Sequence, residues 1–259
     1  MKQHKFSIIT VVYDLDELFW ATSENLRKQT FVDFEWVIKP AKKISRSDHG
    51  RLLALGLTLT IIVEPDRGIY NAMNIATAQA RGQYLFFLNS GDFFADESVL
   101  KSAAKAAEQN NDPALIYGEV CVGAVTYVFP DPLTKFFLFR NALCHQAYFI
   151  SRSIGDGRMT FDEAYKVLAD HEFVLRNMDA LLRSQLRLPF RISDVPEMGF
   201  SARNAELKRT ERRSLVRRYF PFKRYARFHA GYALTFPKLR LWLFDFPLYR
   251  RLRASLLYR

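Results

Sequence analysis

An acidic residue that directly follows a buried strand is the feature of this sequence best suited to chemistry. Residues 84–88 read YLFFL, an apolar run typical of a strand that helices cover on both faces. Asn89, Ser90, Gly91 and Asp92 come next. Because ligands bind beyond the carboxyl ends of strands in open α/β sheets, we expect Asp92 to bind a divalent cation and, through it, a diphosphate.

A second acidic residue with chemical potential lies much further along the chain. Residues 161–178 read FDEAYKVLADHEFVLRNM, which predicts a turn and then a helix that carries Asp170. Glu163 lies seven residues before Asp170, a spacing that puts two helical side chains on one face, so both are expected to face a shared pocket. The structural alternatives are that Asp92 caps a helix and that Asp170 pairs with Arg176 or lies in solvent.

The elements around these residues predict a sheet whose strands alternate with helices. Strands are expected at 5–13, 34–38, 57–63, 84–88, 114–117, 145–150 and 190–196, and helices at about 14–29, 69–80 and 98–109. Asp14 is the expected cap of the first helix, with Glu17 completing an acidic capping box, and Gly82 is the expected stop of the second. A polar loop is expected after the second strand. This order indicates a nucleotide-binding α/β fold.

Composition predicts an ordinary folded protein of the cytosol. The 259 residues are 49% hydrophobic, which is enough for one large domain with an appendage. No run of 18 apolar residues occurs, and residues 1–5 lead into the first strand without an export segment. Cys121 and Cys144 lack metal-ligand spacing, so we expect reduced thiols in or near the core.

Positive charge is concentrated at the C-terminal end. Residues 207–259 contain 15 Lys or Arg and two Asp or Glu, interleaved with 12 aromatic residues, within a chain of net charge +11. Basic helical residues are usually a solvated face, and such stretches can also bind nucleic acid. The Leu, Trp and Phe content favours an anionic membrane surface over nucleic acid, although the apolar part could equally pack on the rest of the protein. Prolines at 221, 237 and 247 predict several short helices.

Several segments together resemble the inverting family 2 glycosyltransferases, most closely those that build bacterial exopolysaccharide, including the colanic acid cluster. The segments are SIITVVY (7–13), FEWVI (34–38), EPDRGIYNAMN (64–74), FLNSGD (87–92), HQAYF (145–149), FDEAYKVLADHEFVLR (161–176) and MGFSARN (198–204). They occur in the order that the family shows. The resemblance implies an α/β domain of the GT-A type over residues 1–206, with a Rossmann-like mixed sheet flanked by helices. Composition adds a basic helical tail over 207–259.

The resemblance implies that a sugar passes from a nucleoside diphosphate sugar to an acceptor hydroxyl, with inversion at the anomeric carbon. Asp92 matches the motif where Mg²⁺ or Mn²⁺ would bridge the diphosphate, and Asp170 matches the general base. The implied nucleotide-sugar site comprises Thr10, Tyr13, Asp66, Arg67, Asn89, Ser90 and Gly91. The implied acceptor side comprises His145, Gln146 and Glu163. His145 as a hydrogen-bonded structural residue and Arg67 as a surface ion pair are the alternatives.

Two departures from the family pattern concern the donor. Family members usually carry an Asp-Gly pair after the second strand, where the carboxylate contacts the nucleobase, and this chain has Pro40 and Ala41 there. Asp48, or backbone groups near Thr10 and Tyr13, could replace that contact. The acidic motif is also reduced to NSGD, which leaves a single carboxylate.

The predicted function is a glycosyltransferase that extends a lipid-linked saccharide in exopolysaccharide, capsule or lipopolysaccharide synthesis. It is expected in the cytoplasm, peripherally attached to the inner face of the membrane, with no nucleic-acid partner. The alternative is a non-catalytic peripheral membrane or nucleic-acid-binding protein that retains the sugar-nucleotide fold. The departures at residues 40–41 and in the acidic motif motivate that alternative.

Overall fold

The protein builds one mixed sheet with helices on both faces. A computed structural model describes residues 3–154, 159–196 and 204–221, and every structural statement below concerns these ranges. The strands are β1 (Phe6–Val12), β2 (Phe34–Pro40), β3 (Leu59–Ile61), β4 (Tyr84–Phe87), β5 (Phe93–Phe94), β6 (Leu115–Val122), β7 (Val125–Tyr127), β8 (Tyr148–Ser151) and β9 (Gln185–Val195). The helices are α1 (Glu17–Arg27), α2 (Arg46–Leu53), α3 (Ile69–Gln79), α4 (Val99–Gln109), α5 (Lys135–Arg140), α6 (Ala169–Arg176), α7 (Met178–Arg183) and α8 (Ala205–Tyr219), with a 3₁₀ turn at His145–Ala147.

The strand order brings the carboxyl ends of the first strands to one edge of the sheet. The order is β3-β2-β1-β4-β8-β6-β9-β5, and β7 pairs with β6. Strands β1 to β4 are parallel, whereas β8 runs antiparallel to its neighbours β4 and β6. The loops after β1, β2 and β4 therefore emerge together, as a ligand site in an α/β sheet requires. The predicted α/β architecture is confirmed.

The core lies on both faces of the sheet, which explains the continuous apolar runs in the central strands. Phe86 and Phe87 are consecutive in β4 and pack into opposite cores, Phe86 with Phe19 and Leu100, and Phe87 with Phe173. A strand covered on both sides needs an apolar residue at every position. Burying each such side chain contributes about 1.5–3 kcal/mol, so the central strands are a firm support for the loops that follow them.

The predicted start of the first helix is wrong by two residues. Asp16, not Asp14, caps α1, because its Oδ1 accepts a hydrogen bond of 2.9 Å from the Phe19 backbone N–H. Asp14 instead forms a surface ion pair of 2.7 Å with Lys42. The residues between β2 and β3, predicted as a polar loop, include α2, in which only Leu52 is buried. A helix with one buried residue leaves almost no apolar periodicity for sequence analysis to detect.

The prediction that Gly82 ends the second helix is wrong. Helix α3 ends at Gln79 with Ala80 as its cap, so the glycine lies beyond the helix. A Cβ atom at Gly82 would lie 2.3 Å from the Ser7 backbone nitrogen in β1, a distance that no side chain can occupy. The glycine is required because two backbone segments meet there.

The C-terminal segment begins with a helix that packs on the sheet domain. In α8, Leu215 is fully buried, and Phe220 just beyond it is 2% exposed. The predicted boundary at residues 206 and 207 therefore falls inside a helix attached to the body. None of the helices in the described ranges combines the length and the hydropathy that a membrane span requires. The rest of the predicted tail, 222–259, and most of the MGFSARN motif lie outside the described residues.

Candidate active site

Asp92 lies in the loop that follows the carboxyl end of β4. Hydrogen bonds from helix α1 hold this loop in place. The Thr22 hydroxyl of α1 donates to the Asp92 carbonyl (3.0 Å) and accepts from the Gly91 N–H (2.9 Å). Gly91 has φ +86°, a conformation that side chains disfavour. Asp92 is 3% exposed, and its Oδ2 accepts hydrogen bonds from the Asn89 N–H (3.0 Å) and Gln146 Nε2 (3.1 Å). Burial raises the pKa of Asp92 to about 6, although the Gln146 bond opposes this.

Asp170 lies in the first turn of α6, and both of its carboxylate oxygens have partners. Oδ2 accepts from His145 Nδ1 at 3.0 Å, and Oδ1 accepts from the His171 N–H at 2.8 Å. The Tyr70 hydroxyl, which donates to the Val167 carbonyl, lies 3.5 Å from Oδ1. Burial raises the pKa of Asp170, but the hydrogen bonds and charges of His145 and His171 together more than offset burial, so the pKa is below its ordinary value. This carboxylate is ionised at neutral pH.

The 3₁₀ turn brings the two carboxylates into one cluster. Consecutive side chains of the turn contact one carboxylate each, His145 contacting Asp170 and Gln146 contacting Asp92. His145 Nε2 also lies 3.3 Å from Asn89 Nδ2. Because Nδ1 faces a carboxylate, it must carry a proton, and neutral Nε2 can accept from the Asn89 amide. The predicted convergence of Asp92 and Asp170 is therefore present in the geometry.

Of the two residues in or after β1 that were predicted near the nucleotide, only Tyr13 has an exposed side chain. Thr10 is fully buried, and its hydroxyl donates to the Leu88 carbonyl (2.6 Å) and accepts from Trp36 Nε1 (2.8 Å). That side chain ties β1 to its neighbours and has no surface to offer a ligand. Tyr13 is 73% exposed, and Lys42 Nζ lies 4.6 Å from its ring centroid.

A buried ion pair lies where the family's nucleobase-binding aspartate is expected. Lys39, the residue before Pro40, has no exposed surface, and its Nζ donates to Asp66 Oδ2 (2.7 Å) and to the Pro40 carbonyl (3.0 Å). Asp66 Oδ1 also accepts from the Gly68 N–H at 3.1 Å. Asp66 thus holds its own turn against the end of β2. Asp48, the predicted substitute, lies on exposed α2 and accepts from the Ser45 hydroxyl at its N-cap.

The prediction that Glu163 and Asp170 share a helical face is wrong, because α6 begins only at Ala169. Glu163 lies in the preceding turn, where its Oε1 accepts from Asn71 Nδ2 (2.8 Å) and Asn74 Nδ2 (3.2 Å). The hydrogen bond from Asn71 lowers the pKa of Glu163, and burial raises it. The hydrogen bond has the larger effect, so the pKa is below its ordinary value. Glu163 and Asp170 both reach α3, through different residues of that helix.

Arg67, predicted on the nucleotide-sugar side of the site, forms an ion pair with Glu163, predicted on the acceptor side. Its guanidinium lies 3.1 Å from Glu163 Oε2, and the Arg67 side chain is 79% exposed. The structure thus contains the surface ion pair that was the alternative reading of Arg67. On the opposite side of the loop after β4, the Ser90 hydroxyl donates to Asp16 Oδ1 at 3.2 Å, at the N-terminus of α1.

Sequence analysis missed several residues that organise this site. They are Lys39, Tyr70, Asn71, Asn74 and Glu211. A lysine inside an otherwise apolar strand, and two asparagines three residues apart on a helix, were signals that could have been used. The contacts of Glu211 link segments more than 40 residues apart, so no local pattern could have indicated them.

Comparison with known proteins identifies the enzyme class. A PGL/p-HBAD biosynthesis glycosyltransferase of Mycobacterium bovis (strain BCG / Pasteur 1173P2) is 29% identical over 175 residues, covering 66% of this chain and 68% of that protein. An uncharacterized glycosyltransferase of Mycobacterium tuberculosis is 33% identical over 118 residues, covering 44% and 45%. The chain is a glycosyltransferase. No protein-family model matches it.

Solved structures define the fold of this glycosyltransferase as GT-A, as predicted. S. aureus TarS 1–349 in complex with UDP superposes with a TM-score of 0.62 at 15% identity, over 95% of this chain and 77% of that chain. Another structure of TarS 1–349 gives a TM-score of 0.60 at 17% identity, over 74% of this chain and only 60% of the TarS chain. Glucosyl-3-phosphoglycerate synthase of Mycobacterium tuberculosis, with Mn²⁺, UDP and glucosyl-3-phosphoglycerate, gives 0.56 at 14% identity, over 83% and 80%.

Proposed function

We propose that this glycosyltransferase transfers a sugar from a nucleoside diphosphate sugar to a saccharide hydroxyl with inversion, as family 2 enzymes do. The observation that carries the proposal is the convergence of Asp92 and Asp170 on the 3₁₀ turn. Similar structures contain UDP-GlcNAc in TarS, and UDP-glucose with Mn²⁺ in glucosyl-3-phosphoglycerate synthase. A donor of this kind fits two neighbouring carboxylates, one to hold a metal-bound diphosphate and one to accept the acceptor proton.

The metal site of this proposal rests on Asp92. Within the described ranges, no group of three or more His, Cys, Asp or Glu side chains could hold a metal by itself. Both hydrogen bonds to Asp92 end on Oδ2, which leaves Oδ1 without a partner among the described residues. One free carboxylate oxygen fits Mg²⁺ or Mn²⁺ that takes its other ligands from a diphosphate and water. A bound cation would neutralise charge on the leaving diphosphate.

Asp170 acts as the general base of the proposed reaction. The acceptor oxygen bonds to the anomeric carbon as that carbon's bond to the diphosphate oxygen breaks, and the acceptor proton passes to the Asp170 carboxylate. Attack from the side opposite the leaving group inverts the anomeric carbon. His145 supports this role, because its Nδ1–H keeps Asp170 ionised and fixes the orientation of the carboxylate.

The donor is proposed to bind between the loops after β1, β2 and β4. Asn89, Ser90 and Gly91 line the diphosphate, and the turn that contains Asp66 and Arg67 approaches the ribose and phosphates. The exposed Tyr13 ring at the end of β1 offers a surface on which a nucleobase can stack. On the acceptor side, the proposed contacts are His145, Gln146 and Glu163.

We further propose that the acceptor is a lipid-linked saccharide, in exopolysaccharide, capsule or lipopolysaccharide synthesis, and that the enzyme attaches peripherally to the cytosolic membrane face. The basic and aromatic composition of residues 207–259 supports this. Arg209, Arg213 and Arg217 are exposed and four residues apart, so they form a stripe on the outer face of α8. Each basic residue near an anionic surface adds about 1 kcal/mol of attraction.

Transfer assays with charge-neutral variants test the catalytic proposal. Asp92→Asn and Asp170→Asn should each lower turnover by roughly 10²–10⁴-fold while the proteins stay folded. Glu108→Gln, which removes an exposed carboxylate on α4, is the matched control and should keep wild-type turnover. Wild-type turnover in Asp170→Asn would remove the base assignment. Thermal-shift screening of nucleoside diphosphates with and without Mn²⁺ then identifies the donor class.

Binding to lipid vesicles tests the membrane proposal. The full chain should bind phosphatidylglycerol vesicles more strongly than phosphatidylcholine vesicles, and a chain that ends at Pro221 should lose most of that binding. This end point keeps α8, which packs on the body. Equal binding by the two proteins would contradict a role for residues 222–259, and stronger retention on DNA than on vesicles would favour the nucleic-acid alternative.

A further inference from the structure

Helix α8 contacts the segment that delivers Asp170, immediately before α6. The Glu211 side chain is only 8% exposed. Its carboxylate accepts hydrogen bonds from three consecutive backbone N–H groups, those of Lys166 (2.6 Å), Val167 (3.0 Å) and Leu168 (2.9 Å). A buried carboxylate with three donors is a strong and specific anchor, because each bond involves a charged acceptor. It fixes the backbone two residues before Asp170.

The same helix also contacts α6 on the other side of Asp170. The Tyr219 hydroxyl donates a short hydrogen bond to Glu172 Oε1. Glu172 is 1% exposed, and the fully buried Leu215 lies on α8 between the two polar anchors. Residues 166–168 and residue 172 are therefore both bonded to α8. Asp170 lies between them, and its carboxylate faces His145 and Tyr70.

We propose that α8 is a positioning element for the catalytic base, with Glu211 as its principal positioning residue. This inference rests on the proposed role of Asp170. Without the Glu211 carboxylate, three consecutive N–H groups lose their acceptor, those of Val167 and Leu168 being buried, and the turn at 166–168 relaxes. A displacement of about 1 Å in a reacting group can cost about 100-fold in rate. The transfer-competent unit therefore extends through α8, which leads directly into the basic C-terminal segment.

Glu211→Gln in the full chain is the primary test, with Glu206→Gln as the matched control on the exposed face of the same helix. UDP-glucose, UDP-GlcNAc and GDP-mannose serve as donors and alkyl glycosides as acceptors, with nucleoside diphosphate release as the readout. We expect Glu211→Gln to lower kcat roughly 10–100-fold with the donor KM within about threefold of wild type. Glu206→Gln should match wild type in both constants.

Hydrogen exchange gives a second readout that needs no substrate. The amides of residues 166–172 should exchange at least tenfold faster in Glu211→Gln, and at the wild-type rate in Glu206→Gln. If Glu211→Gln does not fold, Tyr219→Phe is used instead, because this substitution deletes only the hydroxyl that binds Glu172. The kcat of Tyr219→Phe should fall several-fold, and its donor KM should not change.

These measurements distinguish a failure of the positioning role of α8 from a failure of Asp170 as the base. A folded Glu211→Gln protein with wild-type kcat and wild-type exchange at 166–172 would overturn the positioning role, as would wild-type kcat in Tyr219→Phe. A fall in kcat matched by an equal fall in the folded fraction would also overturn it. If Asp170→Asn keeps full activity in the same assay, the base assignment itself is wrong, whatever the Glu211 variant does.

Discussion

Asp92→Asn should stabilise the metal-free protein at neutral pH, although it is expected to lower turnover by roughly 10²–10⁴-fold. Burial raises the pKa of Asp92 from 3.8 to about 6. Each pKa unit corresponds to about 1.4 kcal/mol, so keeping this carboxylate ionised costs the folded state about 3 kcal/mol. Because the folded pKa lies above the unfolded one, stability falls as pH rises from about 4 to 6, and the full cost is present above that range.

The asparagine removes the charge but retains the local geometry. Its amide oxygen can accept the same bonds from the Asn89 N–H and from Gln146 Nε2. Urea unfolding in EDTA should therefore show a gain of up to about 3 kcal/mol at pH 8 and about half of that at pH 5. Glu108→Gln should show no pH-dependent gain. A gain that is the same at both pH values, or a loss of stability at pH 8, would refute this reasoning.

Two further substitutions test residues that hold the loops of the proposed donor site, the Lys39–Asp66 ion pair and Gly91. Lys39→Met leaves Asp66 without its buried partner and should lower the free energy of unfolding by about 3–5 kcal/mol in urea. The double variant Lys39→Met/Asp66→Asn should recover most of this loss. A double variant as unstable as the single one would contradict a buried ion pair. Gly91→Ala forces a side chain into a residue with φ +86° and should cost about 1–2 kcal/mol. It should also weaken the thermal shift caused by Mn²⁺ with a nucleoside diphosphate, and an unchanged shift would argue against this loop as the metal site.

Strong local patterns made part of the site predictable. The short apolar run before Asn89 is typical of a strand covered on both faces, so the position of Asp92 at the end of β4 could be predicted from local sequence. Asp170 was correctly placed on a helix for the same kind of reason. The capping of α1 was missed because Asp14 and Asp16 are both acceptable caps, and only the Asp16 carboxylate accepts a hydrogen bond from the first turn of the helix.

Long-range contacts explain the failures. The start of α6 was misplaced because the backbone before it bonds to Glu211, a residue of the presumed tail, so Glu163 stays in a turn. The buried Lys39 depends on Asp66 in the same way. Local propensity contains no information about a partner that distant sequence provides, and such a partner decides whether a buried polar group is stable.

The spacing between the proposed metal ligand, Asp92, and the proposed base, Asp170, is set by the centre of the sheet. The 3₁₀ turn that contacts both carboxylates continues directly into β8, which pairs with β4 and β6. The Ser193 hydroxyl of β9 donates to the Gln146 carbonyl and ties the turn to a further strand. Since His145 and Gln146 are adjacent, any shift of this turn moves the contacts of Asp170 and Asp92 together. Substitutions in the core beneath β8 should therefore affect the proposed metal ligand and the proposed base together, because the same turn contacts both.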